Sequence, residues 1–463
     1  MLSSASADTA RSRRKSTGPD TCTQSLDAFP GAEGFGRNAR GGRGGRVLIV
    51  DRLDDEGPGS LREAVETPGP RTVVFSVAGT IRLRRPLRIA HDFITIAGQS
   101  APGQGITLRD HSLIIAANDV VIRYLRSRLG NEASSEPADA IWIAGGTRVI
   151  LDHVSASWST DETLSIAPRR SAVDAPLGDI TVQWSFITES LNPSNHPKGE
   201  HGYGSLVRGW HGSRFSMHHN LWAHHRARMP GLASYLELGD NPLGALVDLR
   251  NNVFYNWGAS PRSADGSAAV DAAGHDVERS SAIAYNFINN AYRRGGDSRS
   301  ALAFFAANRG ARAHFAGNSM DGNVPADPWR LVRGGEHAGY RLSAPLAVAA
   351  VRTHSAEKAF KLVLRDAGAS FARDAVDERI VADVHDGLGR LVDAQADTGG
   401  WPRLRTGSAP IDSDRDGMPD AWEIRHGSAP DEEDGALLDK NGYTRLENYL
   451  NARVERSAPR DEQ

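Results

Sequence analysis

Cysteine is all but missing from this chain: Cys22 stands alone among 463 residues. A single thiol closes no intrachain disulfide and builds no cysteine-based zinc site. Long apolar runs are missing too. The longest are stretches such as 73–75 and 113–117, whereas a membrane-spanning helix needs about 20 apolar residues. A surplus of one charge is also lacking, with 54 basic residues against 57 acidic ones and a net charge of −3. No global basic field therefore points to nucleic acid as a partner. Lysine is scarce, five of those 54 basic residues, so a lysine inside a motif stands out. The first 25 residues hold Arg11, Arg13, Arg14 and Lys15 but no apolar stretch, so no signal peptide is visible in them.

What the chain does have is length and a repetitive texture. Its length exceeds what one core usually serves, unless the fold is elongated or repetitive. Residues 1–27 are rich in Ser, Thr and Arg and read as disordered. Over 28–324 short β-type runs recur between Gly, Asn, Asp and Ser turns. Examples are 72–77, 93–97, 112–115, 120–125, 140–143, 148–151, 180–187, 205–207, 214–218, 245–249 and 282–287. Few intervals are long enough for a crossover helix. Phrases pairing Asn with aromatic residues repeat at 218–222, 250–256 and 284–290, with a weaker copy at 314–318. Their spacing suits one turn of a solenoid, in which stacked Asn side chains satisfy one another and the backbone. The expected class is all-β, a parallel β-helix. Helical spacing over 355–367 and 375–386 makes 325–405 an extension that packs on the solenoid or caps it.

The remaining segment, 406–463, is acidic. Asp412, Asp414 and Asp416, then Gly417, Asp420 and Glu423, fit the D-x-D-x-D-G-x5-E calcium loop. Carboxylates at alternate positions converge on a hard cation, the glycine permits the turn, and the final glutamate closes the shell. Pro419 argues against an ordinary EF-hand, whose exiting helix would begin there. A weaker copy runs through Asp439, Asn441, Gly442, Glu447 and Asn448. The segment reads as an EF-hand-like, calcium-stabilised stalk.

Unusual chemistry gathers in 139–233. His218, His219, His224 and His225 invite a zinc site, but no H-E-x-x-H pattern supports it, and hydrogen-bonded histidines in a solenoid turn fit better. Arg226 and Arg228 share a face if the backbone is extended. Asp139, Asp161 and Glu162 lie on neighbouring predicted turns. Carboxylates beside arginines suit the holding of an anionic polymer through bridging Ca2+, which accepts oxygen ligands from protein and substrate together.

With these residues in view, the chain resembles the pectate lyases of polysaccharide lyase family 1 over roughly 28–405. The phrases that carry the resemblance are Ala28-Phe29-Pro30-Gly31-Ala32-Glu33-Gly34-Phe35-Gly36, Gly57 to Ala64, Thr95 to Gly103, and above all Leu151-Asp152-His153 through Asp161-Glu162. The acidic tail also often follows such domains. The resemblance implies a right-handed parallel β-helix and β-elimination on α-1,4-polygalacturonate with Ca2+. It implies Arg228, followed by Pro230, as the base taking the C5 proton, which is demanding because arginine's pKa exceeds about 12. Asp161, Asp139 and the adjacent Glu162 are its metal ligands. Lys198, Arg226 and His201 are its substrate-binding candidates. Ser165 stands where some members carry a further acidic ligand. Ala233 stands where a second arginine is usual, and Arg226 or Arg250 would supply that charge. The implied partner is pectate, with a monomer sufficing and a secreted or periplasmic location following from the substrate. Two alternatives remain open: a non-catalytic, calcium-dependent polysaccharide-binding β-helix, and a lyase acting on methylated pectin.

Overall fold

The computed structural model describes residues 26–133, 136–173, 175–193, 196, 197, 199–258, 269, 270 and 281–455. Of the segment expected to be disordered, only residues 26 and 27 fall among them.

The strands stack in three parallel columns, and the chain visits the columns in turn. The first column begins Arg46–Val50, Arg71–Phe75, Ile94–Ala97 and Val120–Arg123, and ends at Ala311–Ala316. The second runs from Gly79–Arg82 to Ser319–Met320. The third runs from Leu87–Ile89 to Val332–Gly334. One strand of 12 residues, Ile141–Asp152, serves the third and first columns together, which makes them one 18-stranded sheet beside a 9-stranded one. This is a parallel β-helix. Because the last strand of the third column is Val332–Gly334, the coils continue past the boundary expected at 324.

The sequence explains the stacking. Side chains alternate faces along a strand, so one residue per coil enters the same interior row. In the first column that row is Val73, Ile96, Ile122, Leu151, Val182, Met217, Leu249, Phe287 and Phe315, all buried. Rings stack near the late coils, Phe287 on Phe315 at 4.5 Å and Phe254 on Tyr292 at 4.7 Å. The corner between the first and second columns repeats as well. Tyr124, His153, Trp184, His219, Asn251 and Asn289 each take a left-handed φ there, a conformation that Asn tolerates and other residues adopt at a cost. The rings at this corner stack, His153 on Tyr124 at 4.7 Å and His219 on Trp184 at 4.2 Å. The next residue in the later coils is the expected ladder asparagine. Asn220 Nδ2 donates to Asn252 Oδ1 at 3.2 Å, Asn252 to Asn290 at 3.1 Å and Asn290 to Asn318 at 2.9 Å.

Two outer faces are covered. Residues Ala28, Phe29, Ala32 and Ala39 lie against Val121 and Ile150 of the first column. The approach is close: a Cβ on Gly36 would stand 2.3 Å from the Val149 carbonyl, and one on Gly42 1.9 Å from the Arg71 carbonyl. Helix α1, Leu61–Glu66, fills an early turn. Helices α2, Ala356–Asp366, and α3, Ala375–Asp386, match the expected helical stretches. They bury Val363, Leu364, Val376, Ile380 and Val384 against Trp158, Phe186, Leu221 and Tyr255 on the second column. Two buried arginines anchor them, with Arg128 Nη2 2.8 Å from both Asp374 and Asp377. The extension therefore covers a side of the solenoid.

The tail is docked as well, contrary to the stalk expected. Met418, Leu446, Tyr449 and Leu450 pack on Val74 and Ala97 of the first column, and Arg43 pairs with Glu447 at 3.0 Å. Helix α4, Asp420–His426, begins directly after Pro419. Proline does not break a helix at its start, where its missing N–H would be unpaired anyway, so the objection to an EF-hand-like exit falls. Helix α5, Arg445–Glu455, closes the tail. No helix among the described residues is long and apolar enough to cross a membrane.

Candidate active site

The carboxylates and arginines singled out above meet at the turn from the second column to the third. Asp161 and Glu162 lie between strands Ser155–Ser157 and Leu164–Ile166. Parallel bridges join Glu162 to Tyr203 and Tyr203 to Ala227, so successive coils superimpose these turns. Arg226 and Arg228 flank Ala227. Arg228 takes φ 60°, and Gly231 leaves room for its stem, since a Cβ there would be 3.0 Å from Arg228 Cγ. The guanidinium lies 4.2 Å from the Tyr203 ring centroid and pairs with Glu162. The left-handed residue breaks the face alternation of an extended strand. Arg226 and Arg228 accordingly have different partners: Arg226 pairs with Glu200 and donates to Asn192 Oδ1 at 3.4 Å.

Asp139 reaches the same place from the loop before Ile141. Asp139, Asp161 and Glu162 each offer a carboxylate oxygen within 4.8 Å of the others. Burial pushes the Asp139 carboxyl well above its ordinary value, and the charges of Glu162 and Asp161 add to this. Burial also raises Glu162, with Asp161 adding to it, while Arg228 opposes the shift. Converging oxygen donors whose mutual repulsion is incompletely offset are suited to a hard divalent cation. Ser165, where an acidic ligand is absent, hydrogen-bonds Asp139 instead. The side chain of Asp161 is 29% exposed and that of Arg228 23%, so a ligand can reach both from solvent. His201 Nε2 lies 3.0 Å from Asp161 Oδ1. Lys198 lies outside the described residues.

Neither burial nor its neighbours leaves Arg228 poised to lose a proton. Burial lowers its pKa, but Glu162 and Tyr203 outweigh that and leave it raised. Arg250 is committed to Asp248 at 3.0 Å. Arg208 is the third-column neighbour of Ala233 in register, and burial lowers its pKa. The cation that the resemblance implies at Ala233 thus has a counterpart one coil away, at a position the sequence does not flag. Tyr203 is the other residue missed. Its place in Gly202-Tyr203-Gly204 says nothing about an arginine folded over its ring.

The histidines do not form a zinc site. His218 Nδ1 meets His219 Nδ1 at 3.0 Å, and His225 Nδ1 meets the Ser190 hydroxyl at 2.7 Å. His224 Nδ1 accepts from Asn256 Nδ2 at 2.9 Å. Burial lowers His218 and His225 to about 3, so they are neutral structural groups.

In the tail, Asp412, Asp414 and Asp416 converge, and Asp416 also meets Glu423 and Asp434, a residue outside the expected motif. Asp412 Oδ1, Asp414 Oδ2, both Glu423 oxygens and Asp434 Oδ1 are buried with no hydrogen-bond partner. Burial raises Asp412 to about 6 and Glu423 to about 7, where the neighbouring aspartates add to it. Buried, unpartnered carboxylate oxygens in this number fit Ca2+. Asp420 is not among them, because its two oxygens accept from the Ser413 N–H and hydroxyl at 2.8 Å. In the weaker copy Glu447 is taken by Arg43, and Asp439 accepts from Asn448 at 2.6 Å.

No family model matches the chain. It is 36% identical over 446 residues to a probable pectate lyase C of Aspergillus flavus, covering 94% of this chain and 96% of that protein. A probable pectate lyase C of Aspergillus fumigatus is 36% identical over 437 residues, covering 93% and 94%. The solved structure of a pectate lyase from Acidovorax avenae subsp citrulli aligns at 13% identity and a TM-score of 0.49, covering 78% of this chain and 99% of that one. Identity of this extent over nearly the whole chain places it: the chain belongs to the pectate lyases, a family of polysaccharide lyases.

Proposed function

We propose that this protein cleaves α-1,4-polygalacturonate by calcium-dependent β-elimination, with Arg228 as the base. The observation that carries the reading is the convergence of Asp139, Asp161 and Glu162 on one cation-ready cluster with Arg228 against it. Asp139, Asp161 and Glu162 would hold the ion. When bound, Ca2+ neutralises the substrate carboxylate beside C5 and takes up the Glu162 charge that otherwise keeps Arg228 protonated.

In the reaction an Arg228 nitrogen takes the C5 proton. The C5–H electron pair becomes the C4–C5 double bond, and the C4–O bond breaks. The departing glycosidic oxygen is protonated from water. Tyr203 holds the guanidinium from below through its ring face. Arg208, Arg226, His201 and Lys198 bind the carboxylates of neighbouring sugar units. In the tail, Asp412, Asp414, Asp416, Glu423 and Asp434 would hold a second Ca2+, which would order the loop next to the apolar contact of Met418 with the first column. A single chain supplies every group in this reading, so a monomer suffices. A polymeric substrate places the enzyme outside the cytoplasm.

The test is incubation with polygalacturonate under alkaline conditions, with Ca2+ or with a chelator, following the ultraviolet absorbance of the unsaturated uronate. A calcium-dependent rise that is lost in Arg228→Ala supports the reading. The raised pKa of Arg228 favours one rival, a binder that grips the polymer with a protonated arginine. A flat trace from a folded protein that still retains polygalacturonate would establish that rival.

A further inference from the structure

Beside the carboxylate cluster lies a second group of possible ligands with different chemistry. His196 and His201 are both buried, at 8% and 3% exposure. Their rings stack at 3.7 Å with planes 11° apart. Both present Nε2 to the same oxygen, Asp161 Oδ1, His201 at 3.0 Å and His196 at 4.0 Å. The ligand atoms of Asp161, His196 and His201 all lie within 4.8 Å of one another.

We propose that Asp161, His196 and His201 form a His2Asp site for a borderline divalent cation such as Zn2+, separate in ligand type from the all-carboxylate cluster but sharing Asp161 with it. The donor set carries the assignment. Calcium prefers oxygen, whereas neutral imidazole suits zinc, cobalt and nickel. Two nitrogens and one carboxylate leave a fourth tetrahedral position for water, the pattern of an open zinc site. Both Nε2 atoms already lie beside Asp161 Oδ1, and because an imidazole binds a metal in its own ring plane, the stacked rings must splay for both to reach one ion at about 2.0–2.1 Å. The shared carboxylate couples the two sites. An ion on His196 and His201 draws on Asp161 and withdraws His201 from the substrate, so Zn2+ opposes Ca2+ and Ca2+ opposes Zn2+ reciprocally. The coupling to catalysis rests on the lyase reading above, whereas the binding does not.

Co2+ is the probe, because its visible absorption reports nitrogen ligation directly. The metal-stripped full chain is titrated with Co2+, then with Zn2+ as competitor, alongside His196→Ala and His201→Gln. The wild type should show a visible band that Zn2+ removes and Ca2+ weakens. Each variant should bind Co2+ at least about 10-fold more weakly, since loss of even an outer-shell partner costs that much. His196→Ala is the milder change, and retention of the wild-type thermal transition shows that it folds. Zn2+ should also inhibit calcium-dependent turnover of the wild type, with relief by excess Ca2+. No visible band, or equal Co2+ affinity in wild type and both variants, would overturn the site. A normal titration with no turnover under any condition would overturn the lyase reading and leave the site standing.

Discussion

Replacing Asn252 with alanine removes one rung of the asparagine ladder, and the cost can be worked out from its bonds. Asn252 Oδ1 accepts from the Asn220 backbone N–H at 3.0 Å and from Asn220 Nδ2 at 3.2 Å. Its Nδ2 donates to the Met217 carbonyl at 2.8 Å and to Asn290 Oδ1 at 3.1 Å. All of these groups are fully buried. Truncation leaves the Asn220 N–H without an acceptor, which costs about 1–3 kcal/mol, and forfeits further bonds worth about 1 kcal/mol each. The expected loss is about 4–6 kcal/mol, read as the shift of the guanidinium unfolding curve at neutral pH. Asn252→Leu separates the causes. It fills the space but leaves the orphan donor, so it should still cost at least about 2 kcal/mol. Asn220→Ala combined with Asn252→Ala should cost less than the sum of the single changes, because the two share bonds. If Asn252→Leu is as stable as wild type, the ladder fills volume and does not serve backbone hydrogen bonding.

Three further outcomes are expected. His218 and His225 are held near 3, below their unfolded value of about 6.5. Unfolding therefore takes up protons, so their contribution is complete above about pH 6.5 and falls by about 1.4 kcal/mol per pH unit for each histidine below it. Unfolding curves between pH 7 and pH 5 check this, and a flat profile would contradict it. Arg228→Ala should lower kcat on polygalacturonate by about 10²–10⁴, the range for a general base, while polymer retention on an affinity gel changes little. Chelation should release the tail, seen as faster proteolysis between 406 and 419 and a changed Trp422 emission. Calcium at about 100 times its Kd should restore about 2.7 kcal/mol, and Glu423→Gln should blunt that recovery.

Much of this molecule is determined by sequence alone. Interior rows need one apolar residue per coil, and the short runs at 93–97, 120–125, 214–218 and 245–249 supply them, so the strands and their repetition are visible in the chain. Asn220, Asn252 and Asn290 recur with the same flanks, which makes the ladder legible in the sequence. Helices α2 and α3 follow from their apolar spacing, and the aspartates of the tail from the alternate placement a cation needs. Tertiary structure decided what depends on neighbours distant in sequence. Asp434 joins Asp416 and Glu423 from beyond helix α4, while Asp420 turns away to Ser413. Tyr203 meets Arg228 because one coil of the β-helix brings their turns into register, and Arg208 faces Ala233 for the same reason. The tail lies on the first column because Val74 and Ala97 receive Met418 and Leu450, a match of apolar surfaces that no local pattern encodes. Local periodicity specifies what each turn is made of, and stacking specifies which turns meet, so the coils could be read in one dimension while the site between them could not.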